Sequence, residues 1–542
     1  MVRARRSKYS NLAAALLATA VYEPDRPALL DFSQKLTFGD LLTIVSRVSR
    51  SLERAGLQPS DHVGIALDGI DFVEAYLAVL CLGAVAVPLN LRSPAFEVAK
   101  ILRETQTHVL VCGSKLGPHG ALDSSTIRET ALGEVEWLYY DELRGDVCRA
   151  STKDFSTDAD APATEAEQTL SFFYEPKSED PAVLIMTGGT SGEPRAAILT
   201  HRSMLANLYQ LDSHPGTKAL PGDVSFGVLP LYHIFGLNVA VGSALFSGCA
   251  VAFPQTREED WGGSESAGTQ GGPELWAEAI RELGVTVVAG SPNMWRAIVE
   301  ANTPPQVFSS VRICTSGAAP LSRELFEEFR SKYGQFLWEG YGMTEASPVI
   351  TSSRLMDEPI AGCVGLPLPG IRLEIRDEDG HPVEADDHGE VWIAGDNVFS
   401  GYWGHPEETA EALVEGWLRT GDVGVVGERG ELYLVDRLKD VVIVGGFNVY
   451  PFEIESVIKS HPAISDAVVV GEKVHDDERL VAYVVASEPE DTSSANLKED
   501  IRQYLATKVS RYKIPKDIRI VDEIPRTALA KVPRASLKRR PR

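Results

Sequence analysis

Apolar and polar positions along the first half of the chain repeat with two periods. His62–Asp68 and Val85–Asn90 are short apolar runs with a strand's length, and Ile70–Leu82 between them has a helix's length and repeat. Pro94–Thr105 again reads as a helix and His108–Gly113 as a strand. Strand, helix and strand in succession predict a mostly parallel sheet. The rhythm resumes at Ala182–Met186, Val224–Pro230, Val285–Gly290 and Val311–Ser316. Residues 145–180 are acidic, rich in Ser, Thr and Ala, and aperiodic, which predicts a surface excursion. Gly262–Gly272 reads as a flexible insertion. From about 355 to 436 short strands and turns predict a small β subdomain, and from about 440 a compact unit has strands near Ala467–Gly471 and Val481–Ala486.

Two apolar stretches need separate treatment. Leu12–Val21 follows Arg3, Arg5, Arg6 and Lys8, a layout shared with secretory signals. An amphipathic opening helix, capped by Asn11 and ended by Pro24, is the preferred reading. Val224–Thr256 holds no Asp, Glu, Lys or Arg over 33 residues, long enough for a membrane span. Pro230, Gly236, Gly242, Gly248 and Pro254 punctuate it, which fits strand, helix and strand in a buried layer and no integral span.

Composition narrows the class. The 542 residues are 44% hydrophobic and 24% charged, ordinary for a globular chain. Lys plus Arg number 52 against 77 Asp plus Glu, a net charge of −25. So acidic a chain repels phosphate backbones and anionic lipid, so nucleic-acid binding is not expected. Any polyanion site must supply its own positive field. The six cysteines, Cys81, Cys112, Cys148, Cys249, Cys314 and Cys363, form no C-x-x-C pair and read as reduced core residues of a cytoplasmic protein. No H-E-x-x-H spacing occurs.

One loop carries such a field. The Ala182–Met186 strand runs into Thr187-Gly188-Gly189-Thr190-Ser191-Gly192-Glu193-Pro194-Arg195. The glycines allow successive N–H groups to converge on one anion. Thr187, Thr190 and Ser191 add hydroxyls, and Arg195 adds charge. No Gly-Lys dipeptide occurs, so the loop is not a Walker A motif, and Gly340-Tyr341-Gly342 lacks the third glycine of a dinucleotide fingerprint. A plain Gly/Ser/Thr hairpin is the alternative.

Four more segments follow in order. They are Glu339-Gly340-Tyr341-Gly342-Met343-Thr344-Glu345; Leu418-Arg419-Thr420-Gly421-Asp422; Asp436-Arg437-Leu438-Lys439-Asp440 with Gly445-Gly446-Phe447-Asn448-Val449-Tyr450-Pro451; and Pro525-Arg526-Thr527-Ala528-Leu529-Ala530-Lys531. Together with the loop they resemble the adenylate-forming superfamily of acyl-CoA synthetases, firefly luciferase and peptide-synthetase adenylation domains, closest to the fatty-acyl branch. The resemblance runs from about Asn11 to Lys538.

It implies an α/β fold. A large N-terminal core over 1–436 would have stacked αβα sheets and the β subdomain. A hinge at 437–440 would lead to a mobile α+β domain over 441–542. It also implies ATP, Mg²⁺ and coenzyme A, or a carrier protein's phosphopantetheine, as co-substrates and cofactor. The substrate would be a carboxylic acid, here a medium- or long-chain fatty acid. Lys531 would bridge carboxylate and α-phosphate, Glu345 would hold Mg²⁺, and Thr344 would donate to a phosphate oxygen. Without the resemblance, Lys531 is one cation of a basic tail, and Thr344 and Glu345 are a helix start. Asp422 would accept both ribose hydroxyls, or else is a turn aspartate, and Arg437 would reach ribose and phosphate. Ser316, Gly317, Ala318 and Ala319, with Glu339, Gly340, Tyr341 and Gly342, would wall the adenine. Lys439 would mark the pivot, and Gly445, Gly446 and Phe447 would line the thiol tunnel. His233 would gate the carboxylate, or be a core histidine. Ile234, Phe235, Leu237 and the surroundings of Gly290 and Trp338 would form the acyl pocket.

The chain departs from the family pattern at four positions. Arg195 stands where lysine is usual and Ala196 where glycine is common; Leu529-Ala530 replace the usual Thr/Ser-Gly before the lysine. A planar guanidinium is not a point ammonium, and alanine resists positive φ. Three readings follow: a fatty-acyl-CoA ligase, a ligase loading a carrier protein, and an inactive relative that binds nucleotide or acyl-AMP.

Overall fold

The computed structural model describes residues 9–90, 93, 95–113, 136–141, 146–149, 173–188, 194–254, 271–384, 387–437, 440, 442–444, 447–449, 451–474, 477–487, 494–509, 513–526, 532, 534 and 537. Two compact units partition the chain. The first comprises residues 1–361, 365–372 and 394–418, and the second 362–364, 373–393 and 419–542.

The first unit holds two sheets. One orders its strands Asp146–Arg149, Glu136–Asp141, Val109–Gly113, His62–Ala66, Val85–Pro88, Pro181–Gly188 and Pro194–Thr200. Its centre is parallel and only its two outer pairs are antiparallel. Helices Gly69–Cys81 and Ala95–Glu104 make the crossovers, within a residue or two of the sequence reading. The other sheet runs Val349–Ser352, Leu337–Gly342, Ile313–Ser316, Val287–Gly290, Val224–Phe226, Ala250–Ala252, Pro27–Leu30 and Lys35–Thr37, again with a parallel centre. Trp276, Trp295, Phe308 and Phe329 pack one core against it.

Three expectations change on folding. The opening apolar run is helical, Asn11 accepting hydrogen bonds from Ala13 N and Ala14 N, but it breaks at Leu17 into Leu12–Leu16 and Ala18–Tyr22. The stretch 145–180, read as aperiodic, begins with a strand at Asp146–Arg149; 145 and 150–172 lie outside the described residues, as do 262–270 of the Gly-rich insertion. The uncharged run is strand, helix, strand as expected, but its helix opens as a π-helix, Phe235–Gly242, before Ser243–Ser247. Among the described residues no helix is long and apolar enough to cross a membrane. Cys81, Cys112, Cys249, Cys314 and Cys363 are buried and form no disulfide among the described residues; the side chain of Cys148 lies outside them.

In the second unit the strand ending at Val426 forms a hairpin with Leu432–Arg437. Ile464–Val474, Asp477–Ala486 and Asp517–Ile520 form a three-stranded sheet covered by helices Pro451–Lys459 and Ser494–Ala506. Ile454, Ile458, Val469, Ala482 and Ile501 close its core. Both units are mixed α/β.

Candidate active site

The phosphate-loop candidate joins two strands of the first unit. Pro181–Gly188 and Pro194–Thr200 pair antiparallel, with Thr187 opposite Arg195 and Gly188 opposite Pro194. Thr187 Oγ1 donates to Arg195 O at 3.3 Å. Gly189, Thr190, Ser191 and Gly192 lie outside the described residues. Ala196, where glycine is common, is fully buried in a regular strand beside Leu184, so this site needs no glycine. Arg195 reaches Glu408 Oε1 at 2.8 Å, and its Cζ lies 6.0 Å from the ring centre of Tyr402.

Tyr402 belongs to an extended segment paired with the Arg195 strand. Ser400 N donates to Ile198 O at 3.1 Å, Ile198 N to Gly401 O at 2.9 Å, and Trp403 N to Ala196 O at 2.8 Å. This segment also meets the Thr344–Glu345 motif. Thr344–Ala346 is one turn of 3-10 helix, shorter than the helix start read from sequence. Glu345 is buried, its Oε1 accepts from Tyr402 Oη at 2.9 Å, and its backbone carbonyl accepts from Phe399 N at 2.8 Å. Buried amides hold the rest of the turn. Asn397 Nδ2 donates to Ala346 O at 2.8 Å, and Asn238 Nδ2 to Ser347 O at 2.7 Å. Gln210 Nε2 donates to Asn397 Oδ1 at 3.2 Å.

The residues expected to wall a base lie on two adjacent strands. Ser316 pairs with Glu339 across the parallel ladder. Gly317 sits under Phe235, whose Cζ would be 3.3 Å from a Cβ placed there. Ala318 has φ +69, a conformation costly for a side chain and of the kind stored at binding turns. Ser316 Oγ is buried and makes no hydrogen bond among the described residues, which suits a polar ligand. Ala319 is half-buried. Glu339 and Tyr341 are buried and share one face of their strand; Gly340 and Gly342 face the other way. Gly342 packs against Pro348, whose carbonyl leaves 2.1 Å for a Cβ. His233 is half-buried, and its Nδ1 accepts from Phe235 N at 3.2 Å, which places its proton on Nε2. Ile234 and Leu237 are buried, and Phe235 packs on the Trp276–Trp295 core.

Asp422 lies in the second unit. It is buried within a strand and not in a turn; Gly421 before it has φ +68. Its Cα pairs with that of Arg437, so these two expected ribose contacts are cross-strand neighbours. Asp436 caps the Pro451–Lys459 helix through Phe452 N at 2.8 Å. Phe447 pairs with Val444. Lys439, Gly445, Gly446 and Lys531 lie outside the described residues, as do Leu529 and Ala530.

The donor set fits Mg²⁺ carried on a phosphate. Among the described residues no three His, Cys, Asp or Glu side chains group to cage a metal. Mg²⁺ in nucleotide sites typically takes one or two carboxylates and completes its shell with phosphate and water, so one buried carboxylate suffices. Sequence reading singled out Glu345 and Arg195 but not the residues around them, Tyr402, Glu408, Gln210, Asn238 and Asn397. The run Gly401-Tyr402-Trp403, followed by Pro406-Glu407-Glu408, carries the signal of a turn and a helix start, but nothing in it names its distant partners.

The AMP-binding enzyme family model matches residues 16–403, and the model of the AMP-binding enzyme C-terminal domain matches 453–531. A long-chain-fatty-acid–CoA ligase of Bacillus subtilis (strain 168) is 28% identical, covering 97% of this chain and 94% of its own. A 4-coumarate–CoA ligase 2 of Oryza sativa subsp. japonica is 32% identical, covering 96% and 90%. The fatty acid–[acyl-carrier-protein] ligase ScoC of Streptomyces coeruleorubidus is 29% identical, covering 96% and 94%. Among solved structures, ATP-bound MatB from Rhodopseudomonas palustris superposes with a TM-score of 0.82 at 27% identity over 98% of both chains. MenE from Bacillus subtilis with ATP and magnesium ion reaches 0.77 at 26% identity over 97% and 99%. The chain belongs to the AMP-binding, adenylate-forming enzymes, close to their fatty-acyl-CoA ligase branch.

Proposed function

We propose that this protein is an ATP-dependent acid–thiol ligase that activates a medium- or long-chain fatty acid as acyl-AMP and passes it to coenzyme A. One observation carries the reading: Tyr402 brings together a cation and a carboxylate far apart in sequence. The Arg195 guanidinium lies 6.0 Å from its ring centre, and Glu345 accepts its hydroxyl hydrogen bond. A triphosphate needs this combination, cationic charge for its oxygens and a carboxylate for its metal.

In the first step a carboxylate oxygen of the acid forms a bond to the α-phosphorus of ATP, and the bond to pyrophosphate breaks. Two anions approach, so positive charge must offset their repulsion. Arg195 supplies part of it, and Lys531 is assigned the bridge between carboxylate and α-phosphate. Mg²⁺, held by Glu345, supplies Lewis-acid charge when bound. Thr344 donates to a phosphate oxygen, Ser316–Ala319 and Glu339–Gly342 flank the adenine, and Asp422 and Arg437 take the ribose. His233 presents its Nε2 hydrogen near the acid. In the second step the thiol sulfur attacks the acyl carbon and AMP leaves, with Gly445, Gly446 and Phe447 along the pantetheine path and Lys439 at the pivot.

The apolar lining of Ile234, Phe235 and Leu237, together with the fatty-acid ligases among the relatives, supports an aliphatic acid. The test is mass analysis of products from ATP, Mg²⁺, CoA and an acid panel including 4-coumarate. Acyl-CoA, AMP and pyrophosphate from C8–C18 acids are expected. Pyrophosphate and acyl-AMP without acyl-CoA would favour a carrier protein as acceptor. Nucleotide binding with no pyrophosphate from any acid would mark an inactive relative.

A further inference from the structure

We infer that Tyr402 is a positioning residue for Glu345, fixing the carboxylate assigned to Mg²⁺; this rests on the reading of Glu345 given above. Glu345 sits on a three-residue 3-10 turn, too short to hold a long side chain by its own helix. A glutamate has three torsions to freeze before it can serve as a fixed ligand. The segment 399–402 freezes both ends of the residue. Phe399 N holds its backbone carbonyl at 2.8 Å, and Tyr402 Oη holds Oε1 at 2.9 Å.

Tyr402 is itself well anchored. Its backbone is bridged to Ala197 in the strand that carries Arg195, and its N–H donates to Thr409 Oγ1 at 2.9 Å. Its ring meets Phe399 edge-on at 4.9 Å between centroids. Thr409 also crowds Gly401, where a Cβ would meet its Cγ2 at 2.5 Å and φ is +134, so the turn before Tyr402 accepts glycine alone. Trp403 packs edge-on against His62 at 4.6 Å and joins the core beneath the hairpin. The hydroxyl is therefore delivered by a planar ring on a backbone held by hydrogen bonds on both sides. Groups that orient a metal's ligand typically change metal affinity or activity by 10–100-fold when removed.

Tyr402→Phe keeps the ring, the strand pairing and the Phe399 contact, and removes only the hydroxyl. The experiment titrates Mn²⁺ into the full-length enzyme with ATP and reads free Mn²⁺ by electron paramagnetic resonance. Half-saturating Mg²⁺ for pyrophosphate release and the thermal midpoint are measured alongside, and Glu345→Gln is run in parallel. Tyr402→Phe should weaken Mn²⁺ binding and raise half-saturating Mg²⁺ about 10-fold. The acid KM and the midpoint should stay at their wild-type values. If Glu345→Gln weakens Mn²⁺ and Tyr402→Phe does not, the positioning role is overturned. If Glu345→Gln leaves Mn²⁺ binding intact, the metal assignment beneath it fails instead. A rise in acid KM together with a lowered midpoint in Tyr402→Phe would show a merely structural tyrosine and overturn the role as well.

Discussion

Glu74 is a buried carboxyl in the middle of the Gly69–Cys81 helix, hydrogen-bonded by the Tyr140 hydroxyl. Burial pushes its pKa up to about 7, and the Tyr140 hydrogen bond opposes that rise. The folded state therefore binds a proton that the unfolded chain has released above its ordinary value of 4.5. Stability from this group is present below that value and falls as pH rises through 7, by roughly 3 kcal/mol at 1.36 kcal/mol per pKa unit. Glu74→Gln keeps an acceptor for Tyr140 and cannot ionise. Urea midpoints at pH 5 and pH 8.5 should be close for the two proteins at the lower pH and favour the variant at the higher. Parallel pH dependence would contradict the assignment. At this scale the sequence shows chemistry where residue types cluster, as in Thr187–Arg195 and Thr344–Glu345. It hides groups whose partner is distant. Tyr140 lies 66 positions from Glu74, and Tyr402 lies 57 from Glu345. A lone tyrosine or glutamate in an apolar or turn segment has no local pattern to mark it.

Elements were legible where period and punctuation agree. Apart from Val224–Pro230, whose strand stops at Phe226, the parallel strands and their crossover helices fall within a residue or two of the apolar runs, because a buried parallel strand needs an uninterrupted apolar stretch and its helix a 3.6 repeat. The π-helix Phe235–Gly242 was not legible. In an uncharged run no polar face marks the period, so a wider turn looks like an ordinary one. A Cβ on Gly236 would lie 2.4 Å from Pro230 O and 2.9 Å from Leu229 O, so the helix starts only where the Pro230 turn permits. Asn238 then ties this helix to Ser347, beyond the Glu345 turn. Gly236→Ala should force backbone apart here, lowering stability by about 1–3 kcal/mol. It should also raise the KM for the acid, since His233 and Phe235 precede the displaced residue. A urea midpoint equal to wild type would show that the turn relaxes freely. The strand at Asp146–Arg149 was not legible for another reason: four residues are too few to display a period.

At the scale of the molecule, the net charge of −25 argues against bulk polyanion partners but is silent on a single nucleotide site. Such a site rests on a few placed cations, and one of those proposed above is Lys531, in a tail whose residues 531–542 hold six basic residues and no acidic one. By composition this tail is a solvated charge run. The second unit treats it otherwise. Arg534 reaches Glu455 Oε1 at 2.9 Å and donates to Val469 O at 2.8 Å; Leu537 is buried, and its carbonyl accepts from Tyr483 Oη at 3.0 Å. On the other side Arg526 pairs with Asp466 at 2.5 Å. The chain is thus tied to the second unit at Arg526, and again at Arg534 and Leu537. Lys531→Ala should therefore keep the wild-type thermal midpoint. If the family's two-conformation cycle operates here, the lysine serves the first step and is withdrawn for the second. Pyrophosphate release should then fall at least 100-fold, as for loss of a transition-state charge. Conversion of supplied acyl-AMP and CoA to acyl-CoA should stay within about twofold of wild type, because in that cycle the second step would use Gly445, Gly446 and Phe447 in place of the lysine. Equal loss of both half-reactions at an unchanged midpoint would show one fixed arrangement serving both, and would overturn the rotation of this unit between steps.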